Sequence, residues 1–325
     1  MHSHHSHSGD YVSHATDNLE SIIDKAESMG FTHYCLTEHM PRLHDKFLYP
    51  EEIEKNYTSK DLESNFDRYV QHAVSIQQEK NSKNQSSPTT KIIVGLEVEG
   101  LNSEHIDYTS KLLEKYHPHI NMTVGSVHYV NEIPIDFSPD LWIEARDSLP
   151  DKTSRSLFLQ YFELQYEVLS KLKPTVVGHF DLIRLFEPSN EVDPTTGKLM
   201  KDISLEQDWP DVWELVVRNI KFVESYGGLF ELNSAAIRKG WSSPYPKQDV
   251  SEAIVEFGGG RFCLSDDSHS IAQVGLNYHK VWEYIKFVLK LTSIYHLDIN
   301  ENGETIVAKV SVSELDKSPF WKQYI

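Results

Sequence analysis

Residues 17–39 read DNLESIIDKAESMGFTHYCLTEH, and they hold the pattern that decides the fold. Apolar side chains recur at helical spacing from Leu19 to Met29, and Gly30 is a residue typical of a helix end. The residues from His33 to Thr37 have the composition of a short buried strand, and His39 follows two positions later. This stretch therefore predicts a helix and then a strand that ends beside an imidazole.

Helix and strand alternate in the same way along most of the chain. Further strands are predicted at the apolar runs Ile92–Val98, Met122–Val127, Thr175–Gly178, Leu229–Leu232 and Phe262–Leu264. Helical spacing of apolar residues is found at 106–116, 157–169, 212–223 and 250–257. Such alternation is typical of an α/β protein with a parallel sheet. A length of 325 residues with about seven such units favours one barrel over two doubly wound domains.

We expect a single domain over residues 1–325. Two polar stretches, 81–91 and 187–210, are rich in Pro, Ser, Thr and Asp and are predicted to be surface insertions. The stretch 293–312 is predicted to form two short strands, which the sequence alone does not place.

Composition excludes several classes of function. The formal net charge of −18, without any local basic patch, argues against a nucleic-acid partner. Cys35 and Cys263 lie in apolar runs, which predicts buried free thiols and a reducing compartment. The absence of a signal-like or membrane-spanning apolar run predicts a cytoplasmic protein without a membrane partner. A homo-oligomer is compatible with all of this.

Metal-binding side chains follow nearly every predicted strand. They are His39, Glu97, His128, His179, Asp267 and His269, together with His5, His7 and His14 from the N-terminal segment. Strand ends meet on one face of a βα barrel, so these seven imidazoles and two carboxylates are expected to converge. Groups of this kind suffice for two or three divalent ions, and mixed nitrogen and oxygen ligation favours zinc, manganese or iron over magnesium or calcium.

The N-terminal segment, MHSHHSHSGD, offers two registers for its ligands. His5 and His7 are two positions apart, so an extended segment points both imidazoles the same way, and His2 and His4 have the same spacing. We prefer His5 and His7, which leaves residues upstream for a strand that presents them. In this register we expect His2 and His4 to be solvated and dispensable.

These motifs resemble those of the polymerase and histidinol phosphatase (PHP) superfamily, and the whole chain resembles its histidinol-phosphatase branch. The matching motifs are HSH at 5–7 with the later His14, TEH ending at His39, GLEVE around Glu97, SVH ending at His128, GHFDLIR at 178–184, ELN at 231–233 followed by Arg238, and SDDSH at 265–269. Two departures concern the ligands. The spacing from His7 to His14 is one residue longer than usual, and Asp266 competes with Asp267, although DxH spacing favours Asp267.

The resemblance implies a distorted (β/α)7 TIM-like barrel of the PHP type with up to three metals. One ion would be held by His5, His7, Glu97 and Asp267, a second by Glu97, His128 and His179, and a third by His14, His39 and His269. The resemblance further implies that Glu97, Asp267 and His269 are catalytic. Activated water would attack phosphorus in line, without a covalent nucleophile.

Substrate contacts are assigned from the positions of residues after strands on the same face, and the activity is implied by the resemblance. Arg184 and Arg238 are assigned to the phosphate, although an ordinary ion pair explains either arginine equally well. Glu38, or alternatively Asp10, is assigned to a substrate ammonium. The implied enzyme is a histidinol-phosphatase, which hydrolyses L-histidinol phosphate to L-histidinol and phosphate in histidine biosynthesis. The alternatives are a PHP-type phosphatase acting on another small phosphorylated substrate, and a metal-binding module without catalysis. The second would be indicated by missing ligands, and none is missing.

Overall fold

The structure is a computed structural model that describes residues 1–82 and 90–324. Its strands are β1 (His2–Ser3), β2 (His33–Leu36), β3 (Lys91–Val98), β4 (Met122–Gly125), β5 (Tyr129–Val130), β6 (Ile133–Pro134), β7 (Val176–Val177), β8 (Leu229–Asn233), β9 (Phe262–Ser265), β10 (Ser293–Ile299) and β11 (Thr305–Ser311). Its α-helices are α1 (Leu19–Met29), α2 (Pro50–Glu54), α3 (Ser59–Ser82), α4 (Ser103–Lys115), α5 (Pro139–Asp147), α6 (Ser154–Leu172), α7 (Leu205–Asp208), α8 (Pro210–Tyr226), α9 (Ala235–Arg238), α10 (Gln248–Phe257), α11 (Tyr278–Glu283) and α12 (Val312–Leu315).

Seven strands form one parallel sheet in the order β1-β2-β3-β4-β7-β8-β9. The sheet curls until its two edges meet. The His4 N–H donates to the Leu264 carbonyl at 3.1 Å, and the Asp267 N–H donates to the His5 carbonyl at 3.1 Å. The prediction of a distorted (β/α)7 barrel is therefore confirmed, with β1 and the residues after it as the closing seam.

The opening stretch folds as its pattern predicts. The Asn18 side chain accepts a hydrogen bond from the Ser21 N–H at 2.8 Å and so caps the first turn of α1. Gly30 ends the helix with a φ of 83°, in the left-handed region where a glycine costs least. Strand β2 follows, and His39 pairs with Glu97 in an isolated parallel bridge.

The structure places part of each predicted surface insertion in a regular element. Residues 81–82 end α3 and Lys91 begins β3, while 83–89 lie outside the described residues. The segment 187–210 adds no strand to the sheet and contains α7 together with a short 3₁₀ turn at Met200–Asp202. Within the described residues, none of the helices has the length and apolarity needed to cross a lipid bilayer.

The two C-terminal strands, β10 and β11, pair as an antiparallel hairpin. Leu297 of β10 is fully buried among the residues that fill the barrel interior, including Cys35 and Cys263. Both cysteines are free and fully buried, which confirms the prediction of buried free thiols. The hairpin therefore closes the end of the barrel where β2 and β3 begin.

Candidate metal centre

The predicted ligands come together at the carboxyl ends of the parallel strands. Glu97 is the last residue but one of β3, and its neighbours follow β1, β2, β4, β7 and β9. One of these positions depends on glycine. A Cβ at Gly178 would lie 2.4 Å from the Ser126 hydroxyl, so only glycine allows the chain to bring His179 this close to β4.

The Glu97 carboxylate is the centre of the cluster and is 1% exposed. Its Oε2 atom faces three imidazoles, at 3.2 Å from His5 Nε2, 3.4 Å from His7 Nε2 and 3.0 Å from His39 Nδ1. Its Oε1 atom faces two others, at 3.3 Å from His128 Nε2 and 3.1 Å from His179 Nε2. The two oxygens thus address two separate groups of nitrogen donors, as a bridging carboxylate does between two cations.

A third group of imidazoles lies towards the opening of the site. His7, His39 and His269 each offer a donor atom within 4.8 Å of the others. His14 is exposed, and its ring centroid lies 4.9 Å from that of His269 and 5.4 Å from that of His39. The structure thus brings His14 to this group in spite of its unusual spacing.

The two neighbouring aspartates after β9 point in different directions. Asp267 Oδ1 lies 3.4 Å from His7 Nε2 and 3.7 Å from His5 Nε2, and its φ of 48° turns the carboxylate into the site. Asp266 instead accepts hydrogen bonds from the Ser3 hydroxyl at 2.9 Å and the Gly275 N–H at 2.7 Å. Burial raises the pKa of Asp266 to about 6. The structure therefore brings Asp267, and not Asp266, to the cluster.

Two pairs of N-terminal histidines face opposite ends of the barrel. His5 and His7 face Glu97, whereas His2 and His4 lie in the closed end of the barrel. The expectation that His2 and His4 are solvated is wrong, because they are 2% and 0% exposed. His2 Nε2 accepts the Leu264 N–H at 2.9 Å, and His4 Nε2 accepts the Leu297 N–H at 2.8 Å.

The donor set fits a metal centre on two observations. Several buried ring nitrogens make no hydrogen bond within the described part of the chain: His5 Nε2, both nitrogens of His7, His39 Nδ1, His128 Nδ1 and His179 Nδ1. Unpartnered buried nitrogens are costly in a protein, and a cation removes that cost. Imidazoles mixed with carboxylates also match the ligand preference of zinc, manganese and iron.

Carboxylates outside the first layer orient these imidazoles. Glu231, fully buried in β8, accepts from the Ser265 hydroxyl at 2.6 Å, and its Oε2 lies 3.1 Å from His5 Nδ1. Glu99 lies 3.1 Å from His39 Nδ1 and 3.4 Å from His128 Nδ1. Such partners fix the ring and raise its basicity. Glu99 was overlooked, although its position two residues after Glu97 places it on the same side of an extended strand.

Glu38 belongs to this outer layer as well. Its Oε1 accepts hydrogen bonds from the Ser8 N–H at 2.9 Å and the Ser8 hydroxyl at 2.6 Å, and its Oε2 lies 3.6 Å from His7 Nδ1. These contacts hold the carboxylate against Ser8 and His7, and Glu38 does not line the cavity beside the cluster, which argues against a contact with a substrate ammonium. Asp10, the alternative, accepts the Leu19 N–H at the start of α1 and lies away from the pocket.

Mutual electrostatics dominate the cluster. Burial alone would raise the pKa of Glu97, but His5 and His128 hold that pKa well below its ordinary value. Burial would likewise lower the pKa of His5, but Glu97 and Asp267 raise that pKa well above the ordinary value. The carboxylates are therefore ionised, and a metal competes with protons for the imidazole nitrogens.

A cavity of about 310 Å³ opens onto the cluster. Arg238 and Lys239 line it on one side, and Glu51, Asp136 and the rings of Tyr49 and Phe137 also border it. The Arg238 guanidinium donates to the Asp267 carbonyl at 3.1 Å and forms no ion pair with any carboxylate of the described residues. A basic end next to a metal cluster suits a phosphate group.

Arg184 does not reach this cavity. Its guanidinium donates to both carboxylate oxygens of Asp249, at 2.7 and 2.9 Å, and its Nη1 lies 3.8 Å from Asp181. The structure thus contains the ion pair that was the alternative, which argues against a contact between Arg184 and the phosphate. The side chain ties the segment after β7 to α10.

Three comparisons place the chain among known proteins. The family described as PHP domain matches residues 3–235. The chain is 40% identical to the histidinol-phosphatase of Saccharomyces cerevisiae over 99% of both chains. It is 39% identical to the probable histidinol-phosphatase of Schizosaccharomyces pombe over 99% of this chain and 96% of that one.

Solved structures share the fold. The HisK protein of Listeria monocytogenes superposes with a TM-score of 0.66 at 20% identity, over 86% of this chain and 99% of that one. The HisK of Lactococcus lactis, described in complex with zinc, L-histidinol and phosphate, gives a TM-score of 0.58 at 16% identity, over 88% of this chain and 92% of that one.

Proposed function

The chain belongs to the PHP domain family, and we propose that it is a metal-dependent histidinol-phosphatase that hydrolyses L-histidinol phosphate to L-histidinol and phosphate. The observation that carries the proposal is the Glu97 carboxylate, whose two oxygens face separate groups of imidazoles beneath an open pocket with a basic side. Near-complete coverage of two fungal relatives with that name supports the choice of substrate. We also propose that residues 1–325 form one domain, because strands from residue 2 to residue 265 share a single sheet.

We propose the following ligands for up to three divalent ions, of which zinc, manganese and iron suit the donors best. His5, His7, Glu97 and Asp267 would hold one ion, Glu97, His128 and His179 a second, and His14, His39 and His269 a third. When bound, ions of this class lower the pKa of water and neutralise phosphate oxygens. The distances around Glu97 support the first two groups, and the ring contacts of His14 with His39 and His269 support the third.

The rest of the pocket supplies contacts to the substrate. Arg238 and Lys239 would hold the phosphate oxygens, and Arg238 is already aimed by its hydrogen bonds to backbone carbonyls. Asp136 and Glu51 bring negative charge to the same cavity, where the ammonium of histidinol phosphate needs a partner. The rings of Tyr49 and Phe137 offer an apolar wall for an imidazole.

Proton transfer is assigned to groups that border both the cluster and the cavity. Asp267 and His269 line the cavity, and His269 Nδ1 lies 3.0 Å from the Asp267 carbonyl, which orients the ring. Hydrolysis requires a proton to leave the attacking water and another to reach the departing alkoxide. The ionised Asp267 carboxylate is placed to accept and return a proton. His269, with Nδ1 turned to the Asp267 carbonyl and its other ring nitrogen proposed to face an ion, would act by holding that ion beside the cavity.

The test is phosphate release from a panel of phosphomonoesters by protein reconstituted with zinc or manganese. We expect L-histidinol phosphate to give the highest kcat/KM, with phosphoserine and a nucleoside monophosphate far behind. Preference for another ester would overturn the substrate while leaving the phosphatase class in place. Metal binding without turnover of any ester would indicate the non-catalytic module instead.

A further inference from the structure

A second group of metal-binding side chains lies at the opposite end of the barrel from the pocket. His33 is the first residue of β2, and His296 and Asp298 stand two positions apart on β10. Each offers one donor atom within 4.8 Å of the other two. His33 Nε2 lies 3.2 Å from Asp298 Oδ1, and the two imidazole centroids are 4.6 Å apart. The three side chains thus join the barrel to the C-terminal hairpin.

The hydrogen bonds of Thr32 fix which His33 nitrogen carries a hydrogen. The Thr32 hydroxyl donates to the Met1 carbonyl at 2.9 Å, so it accepts at its 3.0 Å contact with His33 Nδ1. His33 Nδ1 therefore bears the hydrogen in the neutral ring, and Nε2 presents a lone pair towards the Asp298 carboxylate. A lone pair and a carboxylate oxygen at 3.2 Å repel each other unless a proton or a metal ion lies between them.

Two ring nitrogens of this group lack a hydrogen-bond partner among the described residues. His33 Nε2 and His296 Nδ1 are buried and have no hydrogen-bond partner within residues 1–82 and 90–324. Burial, with a contribution from His296, lowers the pKa of His33 to about 4, and burial also lowers the pKa of His296. Buried ring nitrogens without a partner carry a cost that a bound cation would remove.

Lys91 is the competitor already present. Its Nζ donates to Asp298 Oδ1 at 2.6 Å, and its side chain is 35% exposed. A partly exposed lysine on a flexible stem is able to turn into solvent when a divalent cation takes its place. Removing Lys91 should therefore strengthen binding of a cation, whereas a purely structural ion pair would only be weakened.

We propose that His33, His296 and Asp298 form a zinc site, separate from the pocket, that ties the C-terminal hairpin to the barrel. Two neutral imidazoles and one carboxylate, with water as the fourth ligand, match the tetrahedral preference of zinc, and the nitrogen donors disfavour magnesium and calcium. The site would act on stability, because it lies at the end of the barrel that the hairpin closes.

The test compares full-length wild type with His296→Gln and with His119→Gln, an exposed histidine before β4 at the same end of the barrel. Each metal-free protein is titrated with zinc, and bound zinc is counted by elemental analysis after equilibration with a zinc buffer. We expect wild type and the His119 variant to bind one equivalent more than the His296 variant. Cobalt substitution should show a matching loss in the visible d–d spectrum.

Two further measurements complete the test. The His296 variant should keep phosphatase activity within about twofold of wild type at saturating metal. Zinc should raise its Tm less than it raises the Tm of wild type, because the variant lacks the additional bound ion. Lys91→Met should bind that equivalent more tightly than wild type. Equal zinc content in wild type and His296→Gln would overturn the proposal, as would weaker binding by Lys91→Met. If His296→Gln does not fold, Asp298→Asn takes its place with the same expected result.

Discussion

Two groups of histidines occupy the two ends of one barrel, and their chemistry differs because their partners differ. His4 and His5 are adjacent and both are fully buried. Burial and neighbouring imidazoles lower the pKa of His4 to about 3, whereas the carboxylates of Glu97 and Asp267 overcome burial and raise the pKa of His5. His4 accepts a backbone N–H, while His5 faces acidic oxygens.

The contrast teaches that burial alone does not assign a histidine. Residue type, burial and even the chain segment are shared, yet consecutive side chains of an extended segment point to opposite sides. One side faces strand ends that carry carboxylates, and the other faces the apolar side chains, such as Leu297, that the hairpin packs into the end of the barrel. Variants at only one end of the barrel test whether the two groups of histidines have separate roles.

The largest effect is expected from Glu97→Gln. An amide cannot bridge two cations, so turnover should fall by more than about 1,000-fold and bound metal should be lost. Elemental analysis and kcat/KM for L-histidinol phosphate measure the two effects. A variant with full metal content and normal turnover would remove Glu97 from its central role.

The matched pair His5→Ala and His4→Ala tests the comparison most directly. Loss of His5 should reduce kcat/KM by at least about 100-fold, because a proposed ligand is removed. Loss of His4 should leave the kcat/KM of the folded protein within about threefold but lower the free energy of unfolding by roughly 1–3 kcal/mol, because the Leu297 N–H loses its acceptor. Kinetics and urea denaturation of both variants distinguish the effects, and the reverse outcome would exchange the roles of the two ends.

Arg238→Ala should reduce kcat/KM by about 10- to 100-fold, the range expected when a charged hydrogen bond to phosphate is lost. Arg184→Ala is its control, since that side chain pairs with Asp249 outside the cavity. We expect the control to keep kcat/KM within about threefold and to lose roughly 1–2 kcal/mol of stability. An equal loss of kcat/KM in both variants would restore Arg184 to the phosphate.

The smallest effect on catalysis is expected at the closed end of the barrel. Leu297→Ala should cost about 2–5 kcal/mol of unfolding free energy through the cavity it leaves, with kcat/KM changed by less than about twofold. Val307→Ala, at the residue that pairs with Leu297 on β11 but is 39% exposed, should change stability by about 1 kcal/mol or less. Thermal unfolding and steady-state kinetics of both variants provide the measurements.

The sequence predicted the barrel well because strand and helix periodicity is a local property. The predicted strand at Ile92–Val98 differs from β3 by one residue, and the strand at Leu229–Leu232 differs from β8 by one. The long helix α3 was missed, since its many polar residues hide the apolar side formed by Phe66, Tyr69 and Val70. The site residues at strand ends converge because barrel topology brings those ends together.

The expectations that the structure argues against share a physical cause: a partner distant in sequence decides what the side chain binds. Arg184 binds a carboxylate 65 positions away, and the backbone N–H that His4 accepts belongs to a residue 293 positions away. Glu38 follows a strand like a site residue, yet the Ser8 hydroxyl and N–H hold its carboxylate. No local pattern contains such pairings.

The closing seam also sets an order of events during synthesis on the ribosome. Ser3 and Asp266, which meet across the seam, are 263 positions apart. At about 5–20 residues per second, the ribosome delivers β9 on the order of ten to fifty seconds after β1. Until then β1 lacks one of its two neighbours, and His5 and His7 lack Asp267. Nascent chains that stall before residue 265 therefore have no complete centre and expose an unpaired histidine-rich edge, which makes them candidates for chaperone capture or degradation.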